Sequence, residues 1–401
     1  MRRLFLLVTC ALLLAFSACE RKPRDARDNT TIKIGYYGDL SGPTLNFGKS
    51  ALNGVLMAVE EINQAGGING RKLDVVIEDD QGNAELAATR AGKLIDNDKV
   101  IAVIAGGTSG NSRAGAPKAQ VSHVPLISPS ATDPAVTQIG DYIFRVCYID
   151  AFQGEVMAKF AFGTLNAKKA AILFDFNAPY SRGLTDFFEL SFTRLGGQIV
   201  TKQLYTARDR DFRGQLDSIR LAAPDVIYVP GYYGDVAAIA KQARQLGITQ
   251  PLLGGDGWDA PELWGLGGDS LNGSYISNHY SVEDRSPTIQ NFVREYKLRY
   301  GNLAPDAHAA LGYDAMRVLA AAIQRAGMTD GPRLRDALAQ TKNFPGVTGV
   351  ISINNERNAV KPAVVLKLQD GKYIYQETIQ PETPAATPSP SPSPSKTRRK
   401  K

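Results

Sequence analysis

Residues 34–80 restrict this chain more than any other stretch, because a strand period and a helix period follow one another within one short unit. An apolar run from Ile34 to Tyr37 leads into the polar loop Gly38-Asp39-Leu40-Ser41-Gly42-Pro43. Beyond it, Leu52, Val55, Val59 and Ile62 recur at steps of three, four and three, which places them on one helical face. Gly66, Gly67 and Gly70 give the backbone freedom to stop that helix and reverse the chain. A second apolar segment then ends in Glu78-Asp79-Asp80. Two strands joined through a helix predict a right-handed βαβ unit. Sheets of this kind hold ligands in the loops that leave the carboxyl ends of their strands. The Gly38–Pro43 loop has that position, so it reads as part of a binding site.

The rest of the body keeps the alternation. Strands are expected at Val100–Ala105, Pro125–Ser128, Ala170–Asp175, Gln198–Leu204, Val226–Val229 and Leu252–Gly254. Helices are expected at Ser181–Leu195, Phe212–Ala222, Asp235–Leu246, Pro287–Tyr300, Ala307–Ala326 and Pro332–Gln340. In the helix at 307–326, Leu311, Ala315, Val318 and Ala322 share one side with Arg325 at its edge, a pattern of close packing. Such alternation predicts doubly wound α/β lobes.

The two ends read differently. Arg2 and Arg3 precede an apolar run from Leu4 to Phe16, too short to span a bilayer comfortably. Ser17-Ala18-Cys19 follows, so residues 1–18 read as a lipoprotein signal peptide and Cys19 as its lipidation site. An ordinary secretory cleavage is the alternative, and Phe16 is atypical for both. Residues 19–30 are charged, contain Pro23 and read as a flexible tether. Residues 381–401 alternate Pro and Ser and end in a basic tip, so they read as a disordered tail. Extended at about 3.1 Å per residue, the Pro-rich part reaches roughly 40 Å. The tip could touch anionic headgroups or remain solvated. These ends also carry the whole formal net charge of +6: Arg2 and Arg3 hold two charges and the tail four. The body between them is neutral, which leaves no electrostatic footprint for nucleic acid. Cys147 is the one cysteine outside the signal and the anchor, so no internal disulfide is expected. Its apolar surroundings suggest a buried thiol.

The run GDLSGP, the helix ending EEINQAGGINGRKL and the strand ending EDD resemble the opening of the leucine/isoleucine/valine-binding proteins. Those are type I periplasmic solute-binding proteins of ABC importers. The likeness continues through VIAVIAGGTSG (100–110), PLISPSATDP (125–134), YIFRVCYID (142–150), VIYVPGYYGDV (226–236) and PLLGGDGWD (251–259). It implies two Rossmann-like lobes joined by three crossovers, near Asp150, Asn278–Tyr280 and Gly349–Asn354. Lobe one is then 31–149 plus 280–350, and lobe two 150–279 plus 351–380. Family members often carry a disulfide whose positions match Gly82 and Thr108 here, so that bridge is missing.

The resemblance also implies a ligand site. Ser109, at the start of a predicted helix, and Thr132 match residues that hold an amino acid's carboxylate. The Ser130 backbone carbonyl, next to Ala131, matches an acceptor of the ammonium. Asp256 matches the acidic partner of that ammonium, usually glutamate in the family. Tyr180 and Tyr232 match tyrosines lining the cleft from lobe two, and Phe47 an aromatic on the wall of lobe one. Read from residue type alone, Ser109 and Thr132 are equally good N-caps, and Phe47 a hydrophobic staple. A carboxylate at one pole and an ammonium at the other would make a zwitterion clamp, which grips fully only when both lobes close.

Enzyme chemistry finds no support in this pattern. Gly42–Ser50 approaches a P-loop, but Pro43 stands where a glycine is needed and has no N–H to offer a phosphate. In Gly107-Thr108-Ser109-Gly110 the second glycine comes one residue early for a nucleophile elbow. His123, His279 and His308 lack metal-ligand spacing, and His279 reads as a hinge or surface residue. No cofactor or metal is expected. The expectation is a monomeric, lipid-anchored receptor in the periplasm or on the outer face of the cell membrane that passes an amino acid, branched-chain or similar, to ABC permease subunits. A sensor for an amide, urea or similar neutral solute is the alternative on the same fold.

Overall fold

β1 (Thr31–Gly38) runs parallel to β2 (Lys72–Asp79), in register from Thr31 opposite Lys72 to Gly38 opposite Asp79. The helix Leu45–Gln64 joins them, so the opening βαβ unit is present. The computed structural model describes residues 31–381 apart from 208 and 328; the signal, the lipidation site at Cys19, the tether and the tail beyond 381 lie outside the described residues. β3 (Ala102–Ala105), β4 (Leu126–Ser128) and β5 (Ile143–Arg145) complete a parallel sheet in the order β2-β1-β3-β4-β5.

The second lobe begins with the helix Asp150–Lys159, which continues into a π-helical turn at Phe160–Thr164. Its strands β6 (Lys169–Asp175), β7 (Gln198–Tyr205), β8 (Val226–Tyr228), β9 (Leu252–Gly254) and β10 (Ser274–Asn278) are parallel. The chain then returns to the first lobe through the helices Pro287–Arg299, Ala307–Ala326 and Gly331–Ala339. A small antiparallel sheet follows, made of β11 (Phe344–Gly346), β12 (Gly349–Ile353) and β13 (Ala359–Val360). Finally β14 (Ala363–Gln369) and β15 (Lys372–Ile379) add an antiparallel hairpin to the second sheet, whose order is β15-β14-β10-β9-β8-β6-β7.

Each large sheet is covered on both faces. In β1 the alternation sends Ile34 and Tyr36 to one side, against Ala51, Val55, Leu311 and Leu319. Tyr37 goes to the other side, with Ala87, Leu94, Ala116 and Ala119. In β6, Ala171 and Leu173 meet Leu216, Val236 and Ile239, while Ala170 and Ile172 meet Val156, Leu184 and Phe188. These are two doubly wound lobes, as expected.

Two details differ from expectation. The first helix buries Phe47, Ala51, Val55, Ala58 and Val59 fully, whereas Leu52 and Ile62 are only half-buried. Its buried stripe is rotated because the helix Ala307–Ala326 docks on the side marked by Gly54. A Cβ built on Gly54 would lie 1.9 Å from the Ala309 carbonyl oxygen, and one on Gly312 would lie 2.1 Å from that of Ala51. The third crossing also falls later than Gly349–Asn354. Ile351, Ile353 and Ala359 pack in the core of the first lobe, and Ala363 and Val365 in that of the second. Residues 351–359 therefore pack with the first lobe, because β12 and β13 pair with each other and turn their apolar side under it.

Candidate functional site

The loops at the carboxyl ends of the strands converge between the lobes. β3 leads into Gly106–Thr108 and the helix Ser109–Val121; Thr108, not Ser109, is the N-cap, accepting from the Asn111 N–H. Ser109 is therefore the first helical residue, where N–H groups have no intrahelical partner and the helix dipole is positive. β8 leads to Tyr232, which caps the helix Tyr233–Gln245, and β9 leads to the turn Asp256–Trp258. The helix Pro179–Arg194 brings Tyr180 in after β6.

Phe47, Ser109, Ser130, Tyr180, Tyr232 and Asp256 line one cavity, together with Gly107, Thr108, Gly257 and His308. Its free volume is about 20 Å³, room for little more than one water. The lobes are shut on each other here: the Tyr233 hydroxyl donates to the Pro43 carbonyl at 3.0 Å. The Phe47 ring stands edge-on to Tyr232 and Tyr233 at 5.7 and 5.2 Å. Anything larger than water needs the lobes to part.

Asp256 is the electrostatic centre of the site. Its Oδ1 accepts from Gln153 Nε2 at 2.8 Å and from the Tyr180 hydroxyl at 2.9 Å, and its Oδ2 pairs with His279 Nε2 at 3.0 Å. Burial pushes its carboxyl up, but His279 and Gln153 more than offset this and hold it below the ordinary carboxylate range. Burial in turn depresses His279 and His308 to about 4, so both rings are neutral at pH 7. His279 stacks on Tyr148 at 3.9 Å, and His308 on Phe47 at 4.1 Å. Gly255 permits the crowding, since a Cβ there would lie 2.6 Å from the Tyr180 oxygen.

Other expected residues lie just behind the cavity wall. Ala131 is in the hydrophobic core, and its carbonyl accepts from Arg145 Nη1 at 2.5 Å. Arg145, fully buried, also donates to the Asp133 carbonyl at 2.7 Å and so fixes the loop that carries Ser130. The Thr132 carbonyl accepts from the Asp150 N–H at 3.0 Å. Thr132 Oγ1 and both Asp150 carboxylate oxygens are buried, and no donor lies at ordinary hydrogen-bond distance, although Thr132 is the polar side chain beside that carboxyl. Burial raises Asp150 well above the usual carboxylate range.

The loop Gly38–Pro43 does not line the cavity. Asp39 fastens it instead, accepting from the N–H groups of Ser41 (3.2 Å), Gly42 (2.5 Å) and Thr44 (2.7 Å) and from the Thr44 hydroxyl (2.8 Å). The donors a phosphate would need are thus occupied. Asp79 and Asp80 lie close by, but Asp79 is likewise occupied by Leu40, Gln81 and Ser41. Cys147 is a buried free thiol, pushed up to about 12 by burial.

Gln153, Asp150, Thr108, His279 and His308 were not among the expected site residues. His279 is neither a surface residue nor merely a hinge: it is 2 % exposed and holds Asp256. No sequence spacing joins these positions; Thr108 after β3 and His279 after β10 stand at strand ends, whereas Gln153 and His308 lie within helices and carry no such signal.

The neutral histidines predict a pH effect. Their folded pKa lies below the ordinary 6.5, so between about 6.5 and 4 the unfolded chain binds more protons. Their contribution to stability is complete above that window and is lost as pH falls through it, by up to about 1.4 kcal/mol per histidine per pH unit. Urea midpoints at pH 7 and pH 5 should differ less in His308→Gln than in the wild type. An unchanged difference would show that His308 does not contribute.

Two doubly wound lobes, three crossings and a closed interlobe cleft define the architecture of a hinged, two-lobed solute-binding protein. The chain belongs to the periplasmic binding protein family, whose sequence model matches residues 31–372. A Leu/Ile/Val-binding protein homolog of Brucella melitensis is 29% identical over 346 residues, covering 86% of this chain and 93% of its own. A crystallised leucine-binding protein of Thermotoga maritima is 38% identical with a TM-score of 0.84, covering 87% of this chain and 99% of its own. A branched-chain amino acid transporter substrate-binding protein of Streptococcus pneumoniae, solved with isoleucine, is 35% identical with a TM-score of 0.83, over 88% of this chain and 100% of its own.

Proposed function

We propose that this chain is an extracytoplasmic receptor that traps an amino acid, branched-chain or similar, between its lobes and delivers it to an ABC importer. Lipidation at Cys19 would hold it at the membrane, where a monomer suffices. The observation that supports the reading best is the opposition of two poles across one closed cleft. On one side is Asp256, a buried carboxylate held ionised by its neighbours. On the other are Thr108 and Ser109 at a helix start, with Ser130 beside them. The first suits an ammonium and the second a carboxylate. Thr132 and Ala131 would support the carboxylate pole from behind. Charge-assisted hydrogen bonds contribute roughly 1.5–3 kcal/mol each, and four to six of them reach the micromolar range of about −8 kcal/mol after immobilisation.

A receptor for urea or a neutral amide would not need an ionised Asp256, having no ammonium to balance it. Calorimetric competition among leucine, valine, glutamate, urea and short amides tests this directly. Leucine or valine should bind and the neutral solutes should not. Binding of urea or an amide with no response to any amino acid would replace this reading with the sensor.

A further inference from the structure

A second cavity shares none of its lining residues with the cleft. It is a half-open pocket of about 240 Å³ and takes its walls from both lobes: Asp259, Leu366 and Tyr373 from the second, Leu303 and Asp306 from the first, and Tyr280 from the crossing. An apolar cavity of about 150 Å³ already accommodates benzene. Its charged groups are the carboxylates of Asp259 and Asp306, beside the neutral polar side chains of Asn278, Ser281, Tyr280 and Tyr373, and among the described residues that line it there is no lysine or arginine. Both hydrogen bonds to Asp259, from Asn278 Nδ2 and the Ala307 N–H, each 2.8 Å, land on Oδ2. That leaves Oδ1 for the cavity, on a side chain only 6 % exposed. Asp306 caps the helix Ala307–Ala326 and accepts from Ser50 at 2.6 Å. We propose that this cavity is a second ligand site, which takes a small amine with an ammonium group on a short apolar body.

The ammonium sits against Asp259 and Asp306 and relieves the crowding of two buried acids, while the apolar body lies on Leu366, Tyr373 and Leu303. Burial and the neighbouring Asp259 push the Asp306 carboxyl up to about 8.

Phenethylamine is the probe and 2-phenylethanol its neutral isostere, titrated calorimetrically into the full-length protein. The amine should bind with a Kd of about 0.1–1 mM and the alcohol at least tenfold more weakly. Asp259→Asn keeps an acceptor for Asn278 and Ala307 and should weaken the amine at least tenfold. Leu303→Trp fills the cavity from a position 61% exposed, where folding should tolerate it, and should abolish binding. Leucine should not displace the amine. None of these readouts depends on what the cleft holds. Absence of heat with the wild type, equal binding of the alcohol, full binding in both folded variants, or displacement by leucine would each overturn the proposal.

Discussion

Replacing Asp256 by alanine should weaken amino-acid binding at least about a hundredfold, since removing one partner of a buried charge pair costs roughly 3–5 kcal/mol. Asp256 is 3 % exposed, so an ammonium brought against it has no water to replace the lost oxygen. The same change strands the donors of Gln153, Tyr180 and His279, which now converge on its two oxygens. Two mechanisms thus act together, loss of the ligand's counter-charge and loosening of the wall that carries it. Asp256→Glu separates them: it restores the charge, and the leucine-binding proteins that this chain resembles usually carry glutamate there. That variant should recover binding to within about tenfold of wild type. Titration calorimetry measures both. Near-wild-type affinity in Asp256→Ala, with the fold intact by circular dichroism, would remove Asp256 from the site.

Gly312→Ala should lower the melting temperature by roughly 1–4 °C, because overpacking a closely fitted contact costs about 1–3 kcal/mol. A methyl at that position would stand 2.1 Å from the Ala51 carbonyl oxygen, which is backbone and cannot rotate aside. The helices Leu45–Gln64 and Ala307–Ala326 would have to separate, opening the core around Val55, Leu311 and Ala315. Phe47 and His308, both at the amino ends of these helices, would move with them, so ligand affinity should fall as well. Ala315→Gly, one turn away in the same core, serves as the contrast, since it creates space instead of a clash. Differential scanning calorimetry of both variants decides the matter. If Gly312→Ala melts with the wild type, the helix spacing is softer than this packing requires.

The local elements were legible because each writes its own period. The strands at 169–175, 198–205 and 252–254 and the helices at 287–299 and 307–326 fall within about one residue or two of where apolar spacing and turn residues place them. The helix Asp150–Lys159 was not legible. It buries Gln153, Val156, Met157 and Ala158 among elements on more than one side, so no single stripe marks it. β12 and β13 were misplaced for a related reason: two short strands pair with each other, and their pattern does not say which lobe their apolar side will meet.

At the site the division is similar. The resemblance to the leucine/isoleucine/valine-binding proteins, more than residue type, marked Ser109, Ser130, Tyr180, Tyr232 and Asp256, and these line one cavity. Sequence alone determined the alternation of elements and the chemical character of the loops, since both depend on neighbours along the chain. The tertiary structure decided that His279, Gln153 and His308 gather near Asp256, and which side of the first helix faces a partner. Those contacts join residues as far as about 260 positions apart, and they follow from how three crossings bring two sheets together. Periodicity carries no information about such distances.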